Sequence, residues 1–172
     1  MVCKTLQELA DIAESTAVEA VYALQQGGDR HRAGGARLRS FSLSELDVEE
    51  FARQSWTATS TDAGVALPDD GPVHARFYGS FPRKIRHYAI ERGLMTIEDA
   101  IRSASSLPAQ ILGLRDRGQV REGFQADVVV FDPDEICDEA DFTDPHQYSK
   151  GLQYVFVGGA AVVEEGQRAG VL

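Results

Sequence analysis

The sequence is poor in the residues that build disulfide or metal frameworks, with two cysteines and four histidines among 172 residues. Cys3 and Cys137 lie far apart without CxxC spacing, so neither a disulfide framework nor a zinc knuckle is predicted. No two histidines have HxH or HxxxH spacing, which a clustered catalytic zinc site would favour. We therefore predict no metal ligands within this chain.

Long apolar runs and basic residues are also scarce. No apolar run approaches the length that crosses a bilayer, and the segment MVCKTLQELADIAE lacks the apolar stretch of a signal peptide. We therefore expect a cytoplasmic protein with no membrane partner. The 17 basic residues stand against 27 acidic ones, a formal net charge of −10. That balance argues against a nucleic-acid partner, because such binding depends on Lys and Arg contacts with phosphates.

The residues that are present indicate a globular chain, with 43% hydrophobic and 26% charged residues. Its length suits one domain of ordinary size or a piece of a larger protein. Capping-box spacing, a hydroxyl residue followed three positions later by an acid, marks helix starts at Thr5, Thr16 and Thr96. Further predicted helices cover about 45–53, 82–92 and 107–114.

The pattern of strand, loop and helix up to about residue 115 favours a parallel α/β arrangement. The pattern changes at Gly118, where β-branched runs bounded by glycines begin. Predicted strands lie at Val128–Phe131, Gln153–Val157 and Ala160–Glu164, and the last two are joined by Gly158-Gly159 as a hairpin. The sequence thus predicts an α/β part over residues 1–115 and a smaller β part over residues 118–172.

The first candidate functional residue is Asp62, which follows a strand-like segment, Trp56–Thr61. Ligands bind at the carboxyl ends of the strands in parallel α/β sheets, so an acid at this point suits a general base or a carboxylate near a metal. The alternative interpretation is an aspartate that turns a loop or caps the next segment.

A long irregular connection is predicted between Asp62 and a helix that starts at about Pro82. Such a connection is uncommon in a compact domain unless it serves a site. It contains His74, Arg76 and Tyr78, and the planar guanidinium of Arg76 suits a substrate carboxylate. The alternative is that Arg76 is a surface residue or only pins the loop.

Five segments carry a family resemblance: STDAG, VHARFYGSFPRK, SLPAQILGL, GFQADVVVFDP and DPHQY. Together they resemble the C-terminal third of the N-acyl-D-amino-acid deacylases, or D-aminoacylases, of the amidohydrolase superfamily. GFQADVVVFDP by itself is similar to many amidohydrolases, whereas YGSFPR, SLPAQILGL and DPHQY are more specific to the deacylases.

The resemblance implies a fold and an activity. It implies the C-terminal fragment of a (β/α)8 TIM-type barrel followed by strands of a small β-sandwich domain. It also implies hydrolysis of the amide of N-acyl-D-amino acids by zinc-activated water, with zinc as the cofactor of the full-length enzyme. By the same resemblance Asp62 is the general base and then the acid, Arg76 holds the substrate carboxylate, and His74 and Tyr78 shape the loop.

The chain departs from the family pattern at two positions beside these residues. The usual His-Pro-Arg is His74-Ala75-Arg76 here, and the usual Ser-Asp-Gly is Thr61-Asp62-Ala63. The family's metal ligands lie upstream of this chain, so we expect the chain alone to bind no zinc and to be inactive. Missing neighbours would leave apolar surface exposed, which favours self-association or pairing with the missing barrel part. Two alternatives stay open: the tail of a dihydroorotase-like or hydantoinase-like amidohydrolase, and a non-catalytic binding or assembly module.

Overall fold

The structure, a computed structural model, describes residues 4–27, 40, 42–71 and 73–170. The chain divides into two compact units, Met1–Leu43 and Ser44–Leu172. A separate β part that begins at residue 118 stays a prediction. Among the described residues no helix is both long and apolar enough to span a membrane.

The first unit contains two helices, α1 (Leu6–Ile12) and α2 (Ala17–Gln26). Both helices begin with the predicted capping box. The Thr5 hydroxyl accepts a hydrogen bond from the amide of Glu8, and the Glu8 carboxylate accepts one from the Thr5 amide. Thr16 and Glu19 repeat the arrangement. These hydrogen bonds satisfy amides that the first turn of a helix leaves without partners.

The second unit starts with α3 (Glu45–Arg53), capped by Ser44 as predicted. The segment Trp56–Thr61 is not a strand, which corrects the prediction. A long-range backbone contact of this segment is made by the Thr59 amide, which donates to the Ser103 carbonyl oxygen at 2.7 Å. Threonine and tryptophan favour a pleated surface, but a strand also needs a neighbouring strand with which to pair.

A one-turn 3₁₀ helix (Pro68–Asp70) precedes α4 (Arg76–Arg83), which continues directly into a π-helix (Lys84–Glu91). The prediction that this helix starts at Pro82 is wrong, because Pro82 lies inside α4. Gly93, with φ of +60°, follows the helix end, where a left-handed residue is common. Two short helices come next, α5 (Ile97–Ala104), capped by Thr96 as predicted, and α6 (Ser106–Ile111).

One antiparallel sheet is present in the described part of the chain, with strands in the order β1-β2-β3-β4. Its strands are β1 (Val128–Phe131), β2 (Leu152–Val157), β3 (Ala160–Glu164) and β4 (Gln167–Arg168). Gly158 and Gly159 both have positive φ, as a two-residue primed turn requires, so the predicted hairpin is confirmed. The architecture is thus α/β with a small antiparallel sheet, and the barrel fragment and the sandwich stay predictions.

Most buried apolar residues of the second unit are small. Among its described residues four are alanines, and Ile136, 1% exposed, is a large side chain that is fully buried. Large apolar side chains are exposed in the same unit, among them Leu46, Phe51, Trp56, Val65, Leu67, Leu112 and Val120. The second unit therefore presents apolar surface of the kind that in other proteins contacts further chain.

Candidate functional site

The site is built around Asp62, whose backbone has φ of +47°. A left-handed backbone is uncommon for residues other than glycine and is found more often at functional sites. The Asp62 side chain is 89% exposed, and its Oδ2 atom lies 3.0 Å from Nη2 of Arg76. The structure thus places the predicted acid and the predicted carboxylate-binding arginine in direct contact.

A cluster of hydroxyl groups holds the backbone beside Asp62. The Thr61 hydroxyl lies 2.5 Å from the Ser80 hydroxyl, which donates to the carbonyl oxygen of Arg76 at 2.8 Å. Thr61 also contacts the same carbonyl at 3.3 Å. Because Thr61 immediately precedes Asp62, these contacts fix the position of the acid relative to the first turn of α4. The sequence analysis missed this cluster.

Arg76 is the first residue of α4, so it lies in a helix and not in the predicted loop. The Nη2 atom of the Arg76 guanidinium donates a hydrogen bond to Asp62. The Nε atom, on the same edge of the guanidinium, is buried and has no hydrogen-bond partner in the described part of the chain. A carboxylate that binds an arginine through two parallel hydrogen bonds uses such an edge.

His74 contacts the start of α4. Its Nδ1 atom accepts a hydrogen bond from the Arg76 amide at 3.0 Å, so this nitrogen carries no proton in that contact. The ring also packs edge-on against Phe142, with centroids 5.0 Å apart. His74 therefore contacts the backbone of Arg76 at the start of α4.

Tyr78 is the third residue of α4 and is half-buried. Its hydroxyl donates to the carbonyl oxygen of Ala66 at 3.0 Å and also lies 3.0 Å from Nδ1 of His146. Burial raises the pKa of Tyr78, and the charges of Tyr148 and Asp70 raise it further. The phenol therefore keeps its proton at neutral pH and can donate a hydrogen bond.

Lys84 is the buried cation of this region, 7% exposed, at the start of the π-helix. Its Nζ atom donates to the Thr59 hydroxyl at 2.5 Å. Burial lowers the pKa of Lys84, because removal from water disfavours the charged ammonium. The sequence analysis did not single out this residue, since only the fold shows that it is buried.

A metal site is not formed by the described residues: no three His, Cys, Asp or Glu side chains come together there. His87, which is half-buried, contacts two carboxylates, Glu91 at 3.4 Å and Glu45 at 3.7 Å. His146 contacts Tyr78 and the loop near Gly71. Neither histidine is part of a ligand set among these residues.

Comparison with known proteins identifies relatives along most of the chain. The family model described as Amidohydrolase family matches residues 4–163. The N-acyl-D-glutamate deacylase of Alcaligenes xylosoxydans xylosoxydans is 36% identical over 156 residues, which are 91% of this chain and 30% of that protein.

Solved structures agree with this match. A structure of D-aminoacylase, an enzyme described as having a binuclear metal centre, has a TM-score of 0.83 and 34% identity, covering 98% of this chain and 33% of its own. The N-acyl-D-glutamate deacylase from Bordetella bronchiseptica, with zinc and a phosphonate inhibitor, has a TM-score of 0.78 and 31% identity, covering 96% and 33%. The chain thus spans about a third of the length of the proteins that it matches.

Proposed function

Because the chain belongs to the amidohydrolase family, we propose that it is the C-terminal portion of a zinc-dependent hydrolase that cleaves the amide bond of N-acyl-D-amino acids. The relatives named above are deacylases of this class, and each is about three times longer than the matched region. The remaining barrel strands would then belong to chain that precedes this segment. Residues 1–115 would complete the barrel, and residues 118–172 the small β-sandwich domain. The cytoplasmic location stays a prediction.

The observation that carries the proposal is the contact between Asp62 and Arg76 at 3.0 Å. An amide hydrolase for N-acyl amino acids needs a proton-transferring group beside a group that holds the substrate carboxylate. The strained backbone of Asp62 and the hydroxyl contacts of Thr61 fix the acid, and α4 fixes the arginine. The proposal assigns the two functions to these two side chains.

Substrate would change the partner of Arg76. The carboxylate of an N-acyl-D-amino acid would take the place of Asp62 on the edge formed by Nη2 and Nε, where Nε has no partner among the described residues. Asp62 would thereby be released from its ion pair at the moment when substrate binds. His74 accepts a hydrogen bond from the Arg76 amide, and the Tyr78 hydroxyl donates to Ala66 in the loop that follows Asp62, so both would shape the same surface.

Proton transfer would then proceed through Asp62. Its carboxylate accepts a proton from the attacking water as the oxygen bonds to the amide carbon. The same proton passes to the nitrogen as the carbon–nitrogen bond breaks, so the products are a carboxylic acid and a free amino acid. One carboxylate can serve in both steps because it returns to its starting state.

Zinc enters the proposal only as a group held by the rest of the enzyme. The described residues do not fit a metal site, because no three suitable side chains come together there. The roles proposed for Asp62 and Arg76 therefore need no metal ligand from the described residues. For the same reason we propose that this chain alone is inactive, and that its exposed apolar side chains lead it to self-associate or to pair with the missing barrel part.

Activity assays test the proposal. The chain alone and the longest translated product that contains it in frame are assayed with zinc on N-acetyl-D-amino acids, their L-enantiomers, dihydroorotate and a hydantoin. We expect hydrolysis of the D-substrates by the longer protein only, and loss of that activity in its Asp62→Asn variant. Turnover of the cyclic amides instead would assign it to another amidohydrolase activity. Asp62-dependent turnover by the chain alone would refute the inactivity of the isolated segment.

A further inference from the structure

A segment near the end of the chain, Asp144–Ser149, packs against α4 although about 70 residues separate the two in sequence. Its contacts with α4 among the described residues are made to Tyr78. His146 Nδ1 lies 3.0 Å from the phenol oxygen, the Tyr148 ring packs edge-on with centroids 5.4 Å apart, and the Ser149 hydroxyl donates to the Tyr78 carbonyl at 3.1 Å. The position of Tyr78 is therefore set by this segment.

The side chains of His146 and Tyr78 also hold the Asp62 loop, which we define as residues 62–71. His146 Nε2 lies 2.7 Å from the carbonyl oxygen of Gly71, at the end of that loop. The Tyr78 hydroxyl donates to the carbonyl oxygen of Ala66, in its middle. One imidazole and one phenol thus fix the loop at two points beyond Asp62.

We propose that His146 is a positioning residue, which locks the Asp62 loop onto α4 through Tyr78. The proposal rests on the proposed function insofar as the loop serves substrate, and it goes beyond that function by assigning a role to a residue outside the Asp62–Arg76 pair. His146 acts through the loop and through Tyr78, without contact to the reacting atoms.

Three hydrogen-bond contacts join the loop, Tyr78 and His146. The two carbonyl oxygens, of Ala66 and Gly71, can only accept hydrogen bonds, so the phenol and the imidazole supply the hydrogens for them. The contact between Tyr78 and His146 joins these two points. Loss of either the phenol hydroxyl or the imidazole therefore removes two of the three contacts.

Hydrogen–deuterium exchange of the amides of residues 62–71 tests the proposal without any need for activity. In His146→Ala, which removes both ring nitrogens, exchange corrected for intrinsic rates should be about tenfold faster than in the unaltered protein. Tyr78→Phe, which keeps the ring, should give the same loss of protection as a second variant.

His87→Ala is the matched control, because His87 is also a half-buried histidine with side-chain contacts but lies outside this network. In His87→Ala the protection of residues 62–71 should equal that of the unaltered protein. Loop protection in His146→Ala equal to that of the unaltered protein would overturn the proposal. If the exchange results hold and the longer protein hydrolyses no N-acyl-D-amino acid, only the proposed function fails.

Discussion

Pro82 interrupts the hydrogen bonding of α4, and Ser149 compensates for that interruption. A proline has no N–H to donate to the carbonyl four residues earlier, which here belongs to Tyr78. The Ser149 hydroxyl donates to this carbonyl oxygen at 3.1 Å instead. Ser149→Ala should therefore leave the Tyr78 carbonyl without its protein partner and destabilise the second unit.

The size of the effect follows from the surroundings of the carbonyl. A buried polar group that loses its partner costs about 1–3 kcal/mol. Tyr78 and Ser149 are half-buried, so we expect a value near the lower end, about 1 kcal/mol. Pro82→Ala gives residue 82 an N–H that can donate to the Tyr78 carbonyl. In that background Ser149→Ala should lower the free energy of unfolding by less than roughly 0.5 kcal/mol.

Urea unfolding followed by circular dichroism measures the free energy of unfolding of the unaltered protein, both single variants and the double variant. Ser42→Ala, at an exposed position, controls for the loss of a serine hydroxyl and should have no measurable effect. If Ser149→Ala costs the same with Pro82 present and absent, the hydroxyl does not replace the missing helical hydrogen bond and the reasoning is wrong.

Three further predictions use other parts of the structure. Because the pKa of Lys84 is lowered in the folded protein, the unfolded chain binds more protons at this residue than the folded chain does. The free energy of unfolding should therefore rise as pH increases through the folded pKa toward the ordinary value. Denaturant unfolding of Lys84→Met, measured across the same pH range, should lack that rise. In the longer protein Arg76→Lys should raise KM for an N-acetyl-D-amino acid about tenfold, with a smaller change in kcat. Asp62→Asn should lower kcat about 100-fold or more. If steady-state kinetics showed that both variants change KM equally, the assigned roles would be contradicted. Gly151→Ala should lower the melting temperature by several degrees, because φ of Gly151 is +77° and the added Cβ would lie 2.4 Å from the Ile136 amide nitrogen. An unchanged melting temperature in a thermal scan would contradict this expectation.

The helix starts and the hairpin could be predicted because their causes are local. Thr5, Thr16 and Thr96 mark helix starts through contacts with residues three positions away. The turn at Gly158-Gly159 needs two positive φ angles, which glycine adopts without strain. The segments that carry the resemblance to the deacylases are also plain in the sequence, and the family match over residues 4–163 confirms it.

Two predictions, the helix start at Pro82 and the strand at Trp56–Thr61, are wrong because they depend on contacts that are distant in sequence. The sequence favours Pro82 at a helix start, because its missing N–H costs nothing there. In the structure the Ser149 hydroxyl supplies the hydrogen bond that Pro82 cannot make, and the helix begins at Arg76. Trp56–Thr61 has the composition of a strand, yet within the described residues it pairs with no strand. Composition reports how well side chains fit a sheet and does not report whether a neighbouring strand is present.

By itself the sequence determined the family, the caps and the glycine turn, and it singled out Asp62 and Arg76 as candidates. Only the tertiary structure decided that these two side chains touch, that Lys84 is buried, and that His146 reaches the loop beyond Asp62. Local features are fixed by hydrogen bonds between residues a few positions apart. Contacts between residues dozens of positions apart depend on how the helices and loops pack, and no spacing in the sequence specifies that packing.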